Sequence, residues 1–264
     1  MRNAVKNGKI IPESEAVLPV TLREVQQSFS VYEALRITDG HAVHMDDHMK
    51  RLEESCALIG LVSPFSDEEI AQGLDALIEH DRIRNATARI LLVGGPFAMY
   101  FITYSDLLTY PESYYTDGVK AITYSGERFL PQAKTSNLLM QYMAKEEAAR
   151  HGAFEALLVN RSGLITEGTR TNFYIINGNR LITAPDSDVL SGITRISVIE
   201  AASQLGLDIE YRAVGVKEAY GAESAFISST SMAALPLSAI DSVLLRKQRW
   251  DLISAIKDLV RRWE

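Results

Sequence analysis

The pattern of apolar and polar positions opens on a hairpin around Asn7-Gly8 and passes through an irregular stretch to about Thr21. It then predicts a strand from Ser30 to Ile37, closed by a turn at Asp39-Gly40. From Asp46 to Ile59 the apolar residues Met49, Leu52, Cys56 and Ile59 recur at helical spacing, and the run stops at Gly60. A second helix is predicted from Ser66 to His80, where a Ser-Asp-Glu-Glu cluster suits an N-terminal cap. Strands follow at Thr87 to Val93 and Tyr100 to Thr103. The run DLLTYPESYYTDG is turn-rich and weakly periodic, so a domain boundary is expected near residues 106–118. It divides a smaller N-terminal domain, 1–112, from a larger C-terminal one, 113–264.

The second half mixes the two periods. A strand at Val119 to Tyr124 precedes a helix predicted over Ser136 to Arg150, with Gly152 at its end. Ala156 to Val159 and Leu164 to Glu167 flank an Asn-Arg-Ser-Gly turn, and Asn172 to Ile176 and Arg180 to Thr183 flank Asn177-Gly178-Asn179. A helix from about Thr194 to Leu205, strands near 208–214 and 224–228, and a closing amphipathic helix from Trp250 to Trp263 complete the chain. Strands and helices mixed in two unequal halves point to an α+β or α/β architecture.

Composition narrows the partners. Thirty-four acidic against 27 basic residues leave a formal charge of −7, which disfavours a nucleic-acid partner because phosphate backbones select basic faces. The single cysteine, Cys56, excludes an internal disulfide, and its place in a helical stretch reads as a small buried apolar residue. The N-terminus has no sustained apolar core behind its basic residues, and no run approaches the roughly 20 apolar residues that span a bilayer. A soluble, cytoplasmic protein is the expectation, with no membrane partner.

Three features of the second half could carry chemistry. Lys134 lies in Pro131-Gln132-Ala133-Lys134-Thr135-Ser136-Asn137, between a loop and a helix; taken alone, such a lysine is a solvated surface charge. Ser191-Gly192-Ile193-Thr194-Arg195 opens a helix whose first N–H groups lack internal partners, a place for a phosphate or merely an ordinary cap. Glu167 ends a strand in Glu167-Gly168-Thr169-Arg170-Thr171-Asn172, where a carboxylate faces a cleft or a solvated turn.

Taken together and in order, the three features bear a family resemblance that favours the chemical readings. The run KTSNLLMQYMAKEEAARHGAFEALLVNRSGLITEGTRTNFYIINGNRLITAP, followed by LSGITRISVIEAA, resembles the fold-type-IV pyridoxal-phosphate enzymes: branched-chain aminotransferases, D-amino-acid aminotransferases and aminodeoxychorismate lyases. The similarity is strong over 120–241 and thinner over 29–60. The resemblance implies a two-domain α+β fold with pyridoxal 5'-phosphate between the domains, and a homodimer. It implies that Lys134 forms the Schiff base and moves the proton at the substrate Cα, and that Glu167 pairs with the pyridine nitrogen. It assigns Ile193, Thr194 and Thr230 to the phosphate, and Arg51 of His48-Met49-Lys50-Arg51-Leu52 to the same group.

On the substrate side, Tyr32 matches the family's aromatic residue, although in the sequence alone it reads as strand packing. Arg89, in Ala88-Arg89-Ile90-Leu91, resembles the branched-chain strand with a substrate-side arginine; Arg128, in the loop before Lys134, is a second candidate. The chain departs from the family in two places. Residues 22–29 lack the usual glycine-containing turn, and Gly94-Gly95-Pro96-Phe97 lacks the D-amino-acid branch's Arg-x-His pair. Leu138, where many branched-chain enzymes have tyrosine, resembles the D-amino-acid branch. The implied reaction is amino transfer between an amino donor and a 2-oxo acid, the donor being a branched-chain or other small aliphatic amino acid, or else a D-amino acid or (R)-amine. The alternative is β-elimination of the aminodeoxychorismate lyase type.

Overall fold

The computed structural model describes residues 2–264, which form two compact units. The first comprises residues up to Leu108, the segment Ala133–Asn137 and Glu264; the second comprises Thr109–Gln132 and Leu138–Trp263.

The first unit is built on six strands: β1 (Asn3–Lys6), β2 (Lys9–Pro12), β3 (Ser30–Thr38), β4 (His41–Ala42), β5 (Ala86–Val93) and β6 (Met99–Asp106), in the order β2-β1-β6-β5-β3-β4. Asn7 and Gly8, both with positive φ, close the predicted hairpin between β1 and β2. The short helix α1 (Arg23–Gln26) precedes β3, and α2 (Met45–Ile59) and α3 (Asp67–Asp81) pack on one sheet face. Their termini follow the local signals. Gly60 adopts the left-handed conformation after α2, and Ser66 and Glu69 form a reciprocal capping box at the start of α3. Leu35, Ile37, Leu52, Leu74, Leu77 and Ile90 are buried between helices and sheet, each contributing about 2 kcal/mol of burial.

The segment carrying Lys134 is where the structure departs from the predicted helix over 136–150. The helix, α5 (Leu139–Arg150), begins three residues later than Ser136. Ahead of it, Thr135 bridges antiparallel to Val31. The Tyr32 N–H donates to the Lys134 carbonyl, and the Ser136 N–H to the Ser30 carbonyl, both at 3.0 Å. The reason is an open sheet edge. β4 pairs only with Ile37 and Thr38 of β3, so the backbone groups of residues 30–32 take partners from the lysine segment. The first N–H groups of a helix have no internal partner, so delaying α5 sacrifices little.

The second unit opens with α4 (Glu112–Thr116) and carries β7 (Val119–Ser125), β8 (Glu155–Val159), β9 (Leu164–Gly168), β10 (Asn172–Asn177), β11 (Arg180–Thr183) and α6 (Ile193–Gln204). It continues through β12 (Asp208–Tyr211), β13 (Val214–Gly215), α7 (Val216–Gly221), β14 (Ser224–Ser229), β15 (Ala233–Ile240), β16 (Val243–Leu244) and α8 (Trp250–Arg262). Strands β10, β14, β15, β7, β8 and β9 pair in that order, and the Glu167–Asn172 pair joins β9 back to β10, closing a six-stranded ring. Phe173, Ile175, Ile227, Leu235 and Leu237 belong to one buried cluster. Tyr174, Phe226, Val198 and Ile256 form a second core beneath α6 and α8. Strand β15 has no signal in the sequence, since Ala-Ala-Leu-Pro-Leu-Ser-Ala-Ile is poor in branched residues. It forms because β14 and β7 pair with it on both edges.

Candidate active site

Each unit holds its own set of chemical groups. In the first, β3 alternates from Val31 onward: Val31, Glu33, Leu35 and Ile37 are buried, while Tyr32 lies on the other face, half-buried. A carboxylate among three buried aliphatics needs a counter-charge, and α2 supplies it. Arg51 donates from Nε and Nη2 to the two Glu33 oxygens at 2.8 and 2.6 Å, and His48 Nδ1 lies 2.7 Å from Oε2. Burial alone would push the Glu33 carboxyl up. The hydrogen bonds and charge of Arg51, the His48 bond and the Lys134 charge outweigh it and bring it down to about 2. Burial holds His48 below its ordinary range against the pull of Glu33, so the neutral ring donates its Nδ1–H to the carboxylate. Glu33 thus fixes the plane of the Arg51 guanidinium.

Lys134 is held through its backbone and displayed through its side chain. Its N–H donates to Ser55 Oγ of α2 at 3.0 Å, and its carbonyl accepts from Tyr32. The ammonium Nζ lies 4.7 Å from the Tyr32 ring centroid, and the Arg89 guanidinium carbon lies 4.2 Å from the same centroid. Arg89 projects from β5 beside Ala34, exposed. One aromatic ring therefore carries an amine and a guanidinium, and the buried Glu33 carboxylate lies near enough to feel the Lys134 charge.

The atypical 22–29 segment also finds its place here. It makes the single turn of α1, then Ser28 takes a positive φ of 54° where a glycine is usual. Phe29 closes against Gly94, whose N–H donates to the Phe29 carbonyl at 3.1 Å. A Cβ on Gly94 would meet the Phe29 ring at 2.6 Å. Cys56, the unreactive residue expected from the sequence, is buried on α2, and burial pushes its thiol up to about 11.

In the second unit Glu167 is buried at the end of β9, where the Leu190 N–H reaches its Oε2 at 3.4 Å. Arg128 donates to the Pro131 carbonyl at 3.0 Å and lies 3.5 Å from Glu167 Oε1. The structure thus sets this arginine, weighed as a substrate group, beside the carboxylate. The Glu167-Gly168 and Gly192-Ile193 motifs meet through Asn172. Its amide donates to the Leu190 carbonyl, and a Cβ on Gly192 would come within 2.5 Å of its Oδ1. Gly192 is the N-cap of α6 with no side-chain cap hydrogen bond, and the first turn, Ile193-Thr194-Arg195, contains no acidic residue. Thr194 is buried there. Thr230 sits in the turn after β14, where its carbonyl accepts from Arg261.

Glu33, His48 and Ser55 were not singled out from the sequence. A signal existed for the first: a glutamate at an inward position of an alternating strand predicts a buried cation opposite it.

Known proteins align with both units. The model of the family described as Amino-transferase class IV matches residues 30–240. The chain is 33% identical over 247 residues to the D-alanine aminotransferase of Bacillus licheniformis, covering 89% of this chain and 87% of that one. It is 29% identical to the D-alanine aminotransferase of Listeria monocytogenes serotype 1/2a, covering 90% and 87%. Among solved structures, the branched-chain aminotransferase from Thermoproteus uzoniensis with norvaline superposes with a TM-score of 0.90 at 26% identity, covering 99% and 94%. A branched-chain amino acid aminotransferase of T.th., solved with pyridoxamine 5'-phosphate, shares the fold, with a TM-score of 0.91 at 24% identity over 100% and 95%. The chain belongs to the class IV aminotransferases, the pyridoxal-phosphate-dependent enzymes of fold type IV.

Proposed function

We propose that this aminotransferase moves an amino group between a small aliphatic amino acid and a 2-oxo acid, with Lys134 as the catalytic amine and Arg89 as the group that receives the substrate carboxylate. The observation that supports this reading is the Tyr32 ring with Lys134 Nζ and Arg89 stacked on it. The two cations lie 4.7 and 4.2 Å from the same ring centroid, so the site offers an amine for chemistry at Cα and a guanidinium for a carboxylate against one aromatic surface.

The residues present fit pyridoxal 5'-phosphate. The start of α6, with Gly192 as its cap and no acid in its first turn, suits a phosphate dianion. Ile193 and Thr194 would hold that phosphate through N–H groups and the Thr194 hydroxyl, with Thr230 and Arg51 as further ligands. Glu167 would hold a proton on the ring nitrogen. When bound, the cofactor supplies an electron sink for negative charge at the substrate Cα. Lys134 would hold the cofactor covalently through Nζ, and the same amine, once freed by the incoming substrate amine, would take a proton from Cα and return it. Tyr32 shields that amine from water on one side.

The named relatives act on D-alanine and on branched-chain amino acids, and small aliphatic substrates of either kind are the proposed class. Lys134 serves β-elimination of the aminodeoxychorismate lyase type equally well, and the substrate test separates the two. The protein is further proposed to work in the cytoplasm as a homodimer. No helix among the described residues is long and apolar enough to cross a membrane, and sedimentation of the purified protein tests the dimer.

The deciding experiment mixes the cofactor-loaded protein with single L-amino acids, D-amino acids and (R)-amines and follows the visible spectrum. Conversion by small aliphatic amino acids, with the matching 2-oxo acid released, is the expected result. Pyruvate release from aminodeoxychorismate without amino transfer would replace the reading. Lys134→Ala should abolish the visible band of the lysine-bound cofactor; an unchanged band would remove Lys134 from its role.

A further inference from the structure

The helix that would hold the phosphate carries an anomaly one residue beyond Thr194. Arg195 occupies the first turn of α6, where the helix dipole is positive and a cation is unfavourable. It is also the bulkiest fully buried side chain, 1% exposed. Its donors go inward. Nε donates to Asp186 Oδ1 at 3.0 Å, Nη1 to Thr183 Oγ1 at 2.7 Å and Nη2 to the Ala184 carbonyl at 2.7 Å. The Tyr174 hydroxyl is a further partner.

The carboxylate in this set offsets the charge only in part. Asp186 is 61% exposed, so water screens it, while the guanidinium has left water altogether. The first turn of α6 therefore holds a buried cation in addition to its own dipole, and no acidic residue in that turn relieves either. A chain that needed only a stable helix would place an aspartate or glutamate here. A cation is retained where an anion stands in front of the helix to complete the charge balance.

We propose that Arg195 is a positioning residue for the phosphate of the cofactor. It acts through α6: it clamps the helix start to the end of β11 and adds positive potential behind the N–H groups, without touching the phosphate. This rests on the proposed cofactor role of α6. It also separates the two arginines, since Arg51 is the phosphate ligand in that reading and Arg195 is not.

The test compares pyridoxal 5'-phosphate with pyridoxal, which offers Lys134 the same carbonyl and lacks the phosphate. Dissociation constants for both are measured from the visible band, in the wild type and in Arg195→Met, Arg195→Lys and Asp186→Asn. Arg195→Met should weaken the phosphorylated compound about tenfold and pyridoxal less than about twofold. Arg195→Lys keeps the charge and loses the fork, so a loss of about threefold for the phosphorylated compound is expected. Asp186→Asn removes the opposing charge and should tighten the phosphorylated compound by about twofold, the opposite sign to the loss of a structural contact. Equal losses for both compounds in the Arg195 variants, or weaker phosphate-dependent binding in Asp186→Asn, would overturn the proposal. Should Arg195→Met fail to fold, the sign seen with Asp186→Asn and the ratio seen with Arg195→Lys decide it. A wild type that binds neither compound overturns the cofactor reading itself, a result distinct from all of these.

Discussion

Replacing Glu33 with glutamine tests the electrostatics of the first unit most directly. The wild-type carboxylate is fully buried and held by Arg51 at 2.6 and 2.8 Å and by His48 at 2.7 Å. Its pKa is lowered from 4.5 to about 2, a fall that corresponds to about 3 kcal/mol of stability carried by the ionised form. The sign follows from the direction of the change. A carboxyl depressed in the folded state contributes fully above its unfolded value of 4.5, and the contribution is lost as pH falls through about 2. Between those values the wild type should lose up to about 1.4 kcal/mol per pH unit more than Glu33→Gln. At neutral pH the variant should be less stable by about 3 to 5 kcal/mol, because Arg51 is left as a buried charge without its anion. Both tryptophans, Trp250 and Trp263, lie in the second unit, so their fluorescence reports the wrong place. Hydrogen exchange of the α2 amides from pH 7 to pH 3 is the appropriate assay. Parallel pH dependence of α2 protection in the two proteins would refute the reasoning.

Three further outcomes are expected. Gly192→Ala forces a Cβ to within 2.5 Å of Asn172 Oδ1, so the start of α6 must shift; cofactor affinity should fall about tenfold, and an unchanged dissociation constant would count against it. Ser66→Ala removes half of the capping box on α3 and should cost about 1 kcal/mol in urea denaturation while leaving turnover unchanged. The Cys56 thiol, buried and pushed up to about 11, should resist iodoacetamide at pH 8 in the native protein and react fully in urea; rapid native labelling would show that α2 opens readily.

The candidate site was legible in the sequence where motif order carried it. Glu167 and Gly192-Ile193-Thr194 stand at the strand end and the helix start expected for them, whereas Lys134, expected at the start of a helix, lies next to a strand bridge. What surrounds them was not legible. Glu33 holds Arg51, Arg128 lies beside Glu167, and Arg195 turns its donors inward. Each of these contacts joins different elements of the fold, and periodicity says nothing about which buried group will meet which.

By itself, the sequence determined the elements whose signals are local: the Asn7-Gly8 turn, the Gly60 stop and the Ser66 cap. Such signals act between a side chain and a backbone group within a few residues, so the chain carries them wherever it folds. Tertiary structure decided the rest. The residues after Lys134 are extended because β3 has an open edge, and β15 is a strand because two neighbours pair with it. Backbone groups removed from water must be satisfied by whatever partner the fold brings near, and that demand outweighs local propensity.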